Sequence, residues 1–534
     1  MRGVDRIADA PRSHLRRYAI VIAVMTLFAA ECSVARTRAG DTRLSTLAAR
    51  IDAHVSEPRF ASAAWGIKVV SLDTGATLVA RNAEMLFTPA STAKLFTAAL
   101  ALDSFGPDHR IATSLFATAR PARDGEMRGD LVLVGYGDPT LGFDKRVSWS
   151  DTLAIALRKT GVTMVRGDIV ADATWFSGPT FGSGWEAGDL QSWFGVPATA
   201  LSVNENIVRV RVEPGAIPGA RARLGFEPSE LAPAVENRLR TVEKGGVTDI
   251  SLYRAPGTAT LHVFGSIALG TGEQNYRVAL DDPALAAASE LRAALARQGV
   301  SVSGKLRSVY WPALDDTRTS DKLWRVADIG SPPLAEIVQR GLKVSQNLYM
   351  QNLLLLVGRQ AELDALAAGN DVAIPFRSTE DRAIARLRTY LAGIGIASGS
   401  ALIEDGAGLS RRNLTSATAL TTLLVHQGTT PEASAFRLAL PEAGVDGSLT
   451  VRMRNTPAQG RIRAKTGSMR YTHSLAGYAI TAAGERLAFA LMLNNYAVPA
   501  QTVAPRRASA ELDAIAVMLA TVGERSAPAV QPAP

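Results

Sequence analysis

Three short clusters of polar residues would, if the fold brought them together, make a serine nucleophile without a histidine. Ser91-Thr92-Ala93-Lys94 sets a hydroxyl and an amine three residues apart. On a helix such residues are neighbours, with about 5–6 Å between Cβ atoms. An amine whose pKa is lowered by burial or by a second cation can take the serine proton. The positive end of a helix favours the alkoxide that forms. Ser345-Gln346-Asn347 adds a hydroxyl able to relay a proton and an amide able to hold a substrate amide. Lys465-Thr466-Gly467 adds a cation and a hydroxyl suited to a terminal carboxylate, and a glycine that lets a substrate approach a strand edge. The backbone N–H groups of Ser91 and Ser468 are the expected oxyanion hole. Nucleophile, base, proton path and oxyanion hole are together the requirements of acyl transfer.

Each cluster needs an element to hold it. Pro89 precedes a run of good helix formers, so Ser91 is expected in the first turn of a helix. Leu95, Phe96, Ala99, Leu100 and Leu102 fall on one face of that helix, and Gly106 can stop it. Two helical segments, 334–343 and 347–357, flank the break at 344–346. Ser378 and Asp381 read as a capping box opening a helix to Leu391. Strands are expected over 65–72 and 76–81 before the Ser91 helix, and over 461–466, 474–481 and 486–493, followed by a helix over 508–519. Residues 109 to 330 differ in texture. They carry short β-like runs at 131–134, 166–172, 207–213 and 258–264, many Gly and Pro, and one long helix, 283–297. The economical fold class is α/β (α+β), with one antiparallel sheet built from both chain ends, flanked by helices and interrupted by a large, mostly β insert.

The three clusters, in this order, form the S-x-x-K, S-x-N, K-T-G set of penicillin-binding proteins and class A β-lactamases. The chain resembles the class C penicillin-binding proteins, the exported D-alanyl-D-alanine carboxypeptidase/endopeptidases of the penicillin-binding protein 4 family, over residues 45 to 520. Further stretches carry the likeness: Gly137 to Leu141, Ala200 to Asn204, Asp405 to Ser410 and Ala443 to Leu449. Ser345 lies 254 residues beyond Ser91, where β-lactamases keep these motifs close. The resemblance implies a serine β-lactamase/transpeptidase-like domain in two parts, 43–108 and 331–522. Between them it implies an insert of 109–180 and 304–330, with a nested unit at 181–303. It also implies that an acid of the insert contacts the free end of a peptidoglycan stem peptide. Asp172 is the candidate, with a strand-end turn residue as the alternative; Asp138, before Pro139, reads as a turn former. Gln346 stands where β-lactamases often have Asp, and Gln351 where the family often has Glu. No Glu-x-x-Leu-Asn element follows Ser345 to activate a deacylating water, which argues against an efficient β-lactamase.

Composition sets the compartment. Arg16-Arg17 precede an apolar run from Tyr18 to Ala30, too short to span a bilayer but suited to a signal-peptide core, and Ser33-Val34-Ala35 supplies small residues for cleavage. Residues 1–35 are therefore expected to be a removable leader, and the mature chain to be periplasmic or in the cell envelope. Cys32 is the only cysteine, so the mature chain has no disulfide and no thiol nucleophile. Glu31 before it does not suit lipidation. The net charge of +8 on 534 residues is modest and spread out, which does not indicate nucleic acid as a partner but suits an anionic cell-wall polymer. The six histidines, His14, His54, His109, His262, His426 and His473, show no metal spacing. No metal or cofactor is expected. Near Lys465, His473 reads as a strand residue at the rim. No Gly-x-Ser-x-Gly elbow and no phosphate loop stand out. Residues 523–534 are expected to be a disordered tail. The expected partners are stem peptides as substrate and β-lactams as inhibitors. The rival functions are a β-lactamase or D-amino-acid amidase or esterase on the same fold, and a non-catalytic cell-wall-binding protein.

Overall fold

The computed structural model describes residues 42–143, 148–255, 257–313, 323–370, 375–498 and 507–528. The expected leader, residues 1–35, lies outside them. Among the described residues no helix is long and apolar enough to cross a membrane.

The chain enters through helix α1 (Leu47–Val55). A hairpin follows, β1 (Ala64–Ser71) and β2 (Thr77–Arg81). A 3-10 turn, Ala90–Ala93, then leads into α2 (Lys94–Phe105). After the long insert come α3 (Leu334–Lys343), α4 (Asn347–Ala367) and α5 (Thr379–Gly393). The last hairpins are β3 (Ile462–Met469), β4 (Thr472–Ile480) and β5 (Arg486–Asn494), and α6 (Ser509–Ala520) closes the fold. The five strands form one antiparallel sheet in the order β2-β1-β5-β4-β3. Both chain ends thus build the sheet, as the sequence pattern implies.

This sheet is covered on both faces, and the strand period of two sorts its side chains. Along β5, Leu487, Phe489, Leu491 and Leu493 join one core with Leu47, Ile51, Leu512 and Ile515 of α1 and α6. The alternate residues Ala488, Ala490 and Met492 join the other, with Phe96, Leu100 and Leu354 of α2 and α4. Each buried Leu or Phe contributes about 1.5–3 kcal/mol. The alanines on the second face leave room for the helix Ala417–Gln427, which packs on β5 and β1.

The insert holds its own sheets. One has five strands in the order Leu306–Val309, Ile169–Asp172, Leu131–Gly135, Ala112–Ala117, Trp324–Gly330. Smaller sheets are built on Ile207–Glu213 and on Thr260–Ala268. The helix Pro283–Arg297 has the expected bounds, with the Asp282 side chain capping Leu285 N–H. A second helix, Trp149–Lys159, stands among the β-like runs in addition to the one expected. Its signal is Ser148, whose hydroxyl accepts from Asp151 N–H, followed by buried Trp149, Leu153, Ala154 and Leu157.

The tail needs a correction. Residues 523–528 are not free. Gly523 N–H donates to Thr42 O, and Glu524 accepts from Leu44 N–H at 2.9 Å. Ser526 N–H donates to Glu485 at 3.0 Å. Glu485, fully buried in the β4–β5 turn, also accepts from Ser71 Oγ at 2.6 Å. A buried carboxylate needs donors, and the start of the tail supplies two, the N–H and the hydroxyl of Ser526. Residues 529–534 lie outside the described residues.

Candidate active site

Each polar motif sits at an element boundary. Ser91 lies in the 3-10 turn just before α2 rather than within the α-helix itself, and Lys94 is the first residue of α2. Lys94 is fully buried among the apolar residues of that helix. Its Nζ donates to Ser91 Oγ at 2.9 Å, to Asn347 Oδ1 at 2.6 Å and to the carbonyl of Ala407. Burial pushes its pKa down to about 7, against the opposing charge of Asp405. Near neutral pH a large share of Lys94 is therefore the free amine that can accept the Ser91 proton.

The second motif occupies the break between α3 and α4. Ser345 stands at φ +60°, an uncommon backbone for a residue with a side chain. That kink lets Asn347 open α4 while Ser345 turns to the third motif. Lys465 Nζ donates to Ser345 Oγ at 2.9 Å and to Thr466 O at 2.7 Å. Lys465 is also fully buried. Burial, with Lys94 and Arg452 nearby, holds its pKa well below the ordinary lysine value. Two lysines converge here with few counter-charges, so an entering carboxylate would find a ready partner.

The third motif lies within β3, the edge strand, not only at its end. Thr466 shares a 2.8 Å hydrogen bond with Ser448. Gly467 faces the nucleophile's turn. A Cβ built on it would lie 2.6 Å from Pro89 O, 2.2 Å from Ser474 Oγ and 3.1 Å from Ser91 N. The edge strand and the Ser91 amide are therefore in direct apposition, as an oxyanion hole from Ser91 and Ser468 N–H requires. Thr92 Oγ1 and Ser474 Oγ both donate to Pro89 O, at 2.8 and 2.6 Å, and tie this turn to β4. Ser468 is exposed at the rim, with its hydroxyl 3.2 Å from His473 Nδ1. His473 is on β4, as expected.

The structure thus brings Ser91, Lys94, Ser345, Asn347, Lys465, Thr466, Gly467 and Ser468 to one place. Asp172 is different. It ends an insert strand, and its Oδ1 accepts from Thr174 N–H at 2.8 Å and Thr174 Oγ1 at 2.6 Å, which closes a turn. That is the geometry of the turn alternative, and a stem-peptide role for Asp172 rests on the resemblance. Asp138 likewise accepts two bonds from Thr140, in keeping with a turn former.

Several supporting residues could not be assigned a role from the sequence. Asp405 is buried and accepts from Gly408 N–H and Leu409 N–H at 3.0 Å, Asn413 Nδ2 at 2.6 Å and Trp185 Nε1 at 2.8 Å. It therefore pins the loop that presents Ala407 O to Lys94. Gly408 is obligatory in that loop, since it has φ +69° and a Cβ there would meet Ala90 O at 2.2 Å. Gln351 accepts from Gly406 N–H at 2.8 Å and donates to Glu380 at 2.6 Å. Glu380 is mostly buried, and its carboxyl is pushed up to about 7. From the insert, Phe194 O accepts from Asn347 Nδ2 at 2.7 Å, so the other end of that amide is turned onto Lys94. The Asp405 to Ser410 run was visible as a motif; its partner in α2, over 300 residues away, was not.

Comparisons with known proteins follow the same lines. A D-alanyl-D-alanine carboxypeptidase of an Actinomadura species is 33% identical over 97% of this chain and 93% of its own. The D-alanyl-D-alanine carboxypeptidase DacB of Haemophilus influenzae is 24% identical over 78% of this chain and 82% of its own. The fold is similar to the crystal structure of penicillin-binding protein 4 from Haemophilus influenzae, with a TM-score of 0.72 at 21% identity, covering 88% of this chain and 97% of that one. The model of the D-Ala-D-Ala carboxypeptidase 3 (S13) family matches residues 47–519. By this match and by its identity to the Actinomadura enzyme, the chain belongs to the D-Ala-D-Ala carboxypeptidase 3 (S13) family.

Proposed function

We propose that this protein is an exported serine-type D-Ala-D-Ala carboxypeptidase, with endopeptidase action on D-alanyl cross-links, and that penicillin acylates it at Ser91. One observation carries the reading: a fully buried Lys94 amine with a pKa of about 7 stands 2.9 Å from Ser91 Oγ. The names of the relatives, both D-alanyl-D-alanine carboxypeptidases, supply the substrate class.

In this reading the terminal carboxylate of the stem peptide meets Lys465 and Thr466, and the Asn347 amide holds the peptide backbone. Neutral Lys94 takes the Ser91 proton as Oγ attacks the carbonyl carbon between the two D-alanines. The oxyanion is held by the N–H groups of Ser91 and Ser468. A single such donor is worth about 10²–10³ in rate. Collapse breaks the C–N bond. The leaving amine takes the proton held by Lys94, relayed through Ser345 next to Lys465, which leaves Lys94 neutral again and an ester on Ser91. Water then adds to that ester, gives a proton to Lys94, and releases the shortened peptide with Ser91 restored. Penicillin enters as a mimic of D-Ala-D-Ala, and its ring-opened acyl group stays on Ser91. A test is release of D-alanine from a peptide ending in D-Ala-D-Ala. Release by the native protein and none by Ser91→Ala supports the reading; equal release by both, or none by either, overturns it.

A further inference from the structure

A cavity of about 530 Å³ lies beside the turn that carries Ser345 and Asn347. Small-molecule sites fall in the range of about 300–1,000 Å³. None of Ser91, Lys94, Ser345, Asn347 or Lys465 lines it. Its wall joins two parts of the chain: Leu141 and Trp149 come from the insert, Ile337 from α3, and Tyr349 from the first turn of α4. Val344, also in the wall, is the residue before Ser345.

One polar group, the Asp138 carboxyl, sets the chemistry. Tyr349 is fully buried, its hydroxyl is closed off from the cavity, and the Arg340 guanidinium lies against it while pairing with Glu205 at 2.5 Å. Asp138 is 4% exposed, and both of its hydrogen bonds, from Thr140, fall on Oδ1. The cations of the wall are neutralised by acids outside it: Arg340 by Glu205 and Lys343 by Asp446 at 2.5 Å. Of the other wall carboxylates, Asp328 is paired with Arg325 at 2.6 Å and Glu336 is exposed. Among the described residues the cavity therefore keeps a buried carboxyl that no cation faces, under an apolar and aromatic wall.

We propose that this cavity binds a small molecule bearing a protonated amine on an apolar or aromatic body, with the ammonium on the Asp138 carboxylate and the body against Trp149, Leu141 and Ile337. Occupancy is passed to the catalytic turn through Val344, next to the constrained Ser345, and through Tyr349, two residues beyond Asn347. The binding stands independently of the proposed function; its effect on acylation rests on that function.

The probe is 2-phenylethylamine, with 3-phenylpropionate as the acid control, titrated into the full chain and followed by saturation-transfer NMR. Saturable binding of the amine and none of the acid is expected. Asp138→Asn should weaken it at least tenfold. Thr152→Trp, which changes an exposed residue at the mouth, should abolish it. Circular dichroism shows whether each variant is folded. Burial pushes the Asp138 carboxyl up to about 6, and the Tyr349 hydroxyl stays protonated well above its ordinary value. Binding should therefore weaken as pH falls through about 6, because Asp138 takes a proton while the amine keeps its charge. Equal binding of the acid, no saturable binding of the amine, or binding that survives Thr152→Trp but disappears once benzylpenicillin occupies Ser91 would overturn the proposal. The last result would put the probe in the catalytic cleft. Failure of penicillin to acylate Ser91 would count against the proposed function and leave the cavity test intact.

Discussion

Gly467→Ala probes how closely the edge strand and the nucleophile's turn are set. The new methyl would arrive 2.6 Å from Pro89 O and 2.2 Å from Ser474 Oγ. The Ser474 hydroxyl can rotate away, but only by giving up its 2.6 Å bond to Pro89 O. Pro89 O is backbone, two residues from Ser91. Ordinary contact begins near 3.4 Å, so the strand and the turn must separate by about 0.8 Å. A misplacement of about 1 Å can cost about 10²-fold in rate, and overpacking costs about 1–3 kcal/mol of stability. The expected result is acylation by a fluorescent penicillin slowed about a hundredfold, in a protein that still folds and melts a few degrees lower. Gly393→Ala is the control, since a Cβ there meets nothing within 4 Å. An acylation rate for Gly467→Ala within twofold of native would refute the apposition of β3 and Ser91 on which the proposed oxyanion hole depends.

Three further outcomes follow from the same geometry. In the proposed mechanism acylation requires neutral Lys94, so its rate should rise with pH through about 7 and fall about tenfold per unit below that; stopped-flow acylation across pH 5 to 9 checks this. Trp185→Phe removes the indole donor from buried Asp405 and loosens the loop that carries Ala407 O. A hydrogen bond to a charged group is worth about 1.5–3 kcal/mol, so thermal melting should fall accordingly and acylation should slow, while a native melt with native acylation would exclude the link. Truncation after Val522 strips Ser526 from buried Glu485 and should destabilise the chain by about 1–3 kcal/mol, read by urea unfolding.

The sequence disclosed what local spacing controls. The α2 face, the capping box at Ser378 and Asp381, and the alternation along β5 each follow from residues within one element, and their bounds came out within a few residues. The three motifs were legible for the same reason. What was missed depends on contacts across hundreds of residues. Nothing near Phe194 announces that its carbonyl orients Asn347. Nothing near Asp405 announces a lysine at the start of α2. Asp172 shows the converse: an acid at a strand end has a local use, the Thr174 turn, that sequence alone could not separate from a ligand role. The tail misled because its Ala/Pro-rich composition hid the single serine that Glu485 needs.

The central claim is that Lys94 activates Ser91, and the most direct measurement is intact-mass spectrometry with peptide mapping after exposure to benzylpenicillin. The native protein, Ser91→Ala and Lys94→Met would be run side by side. One penicilloyl group on Ser91 is expected in the native protein, with none in Ser91→Ala and little in Lys94→Met. An adduct on another residue, or Lys94→Met acylated as fast as native, would contradict the account.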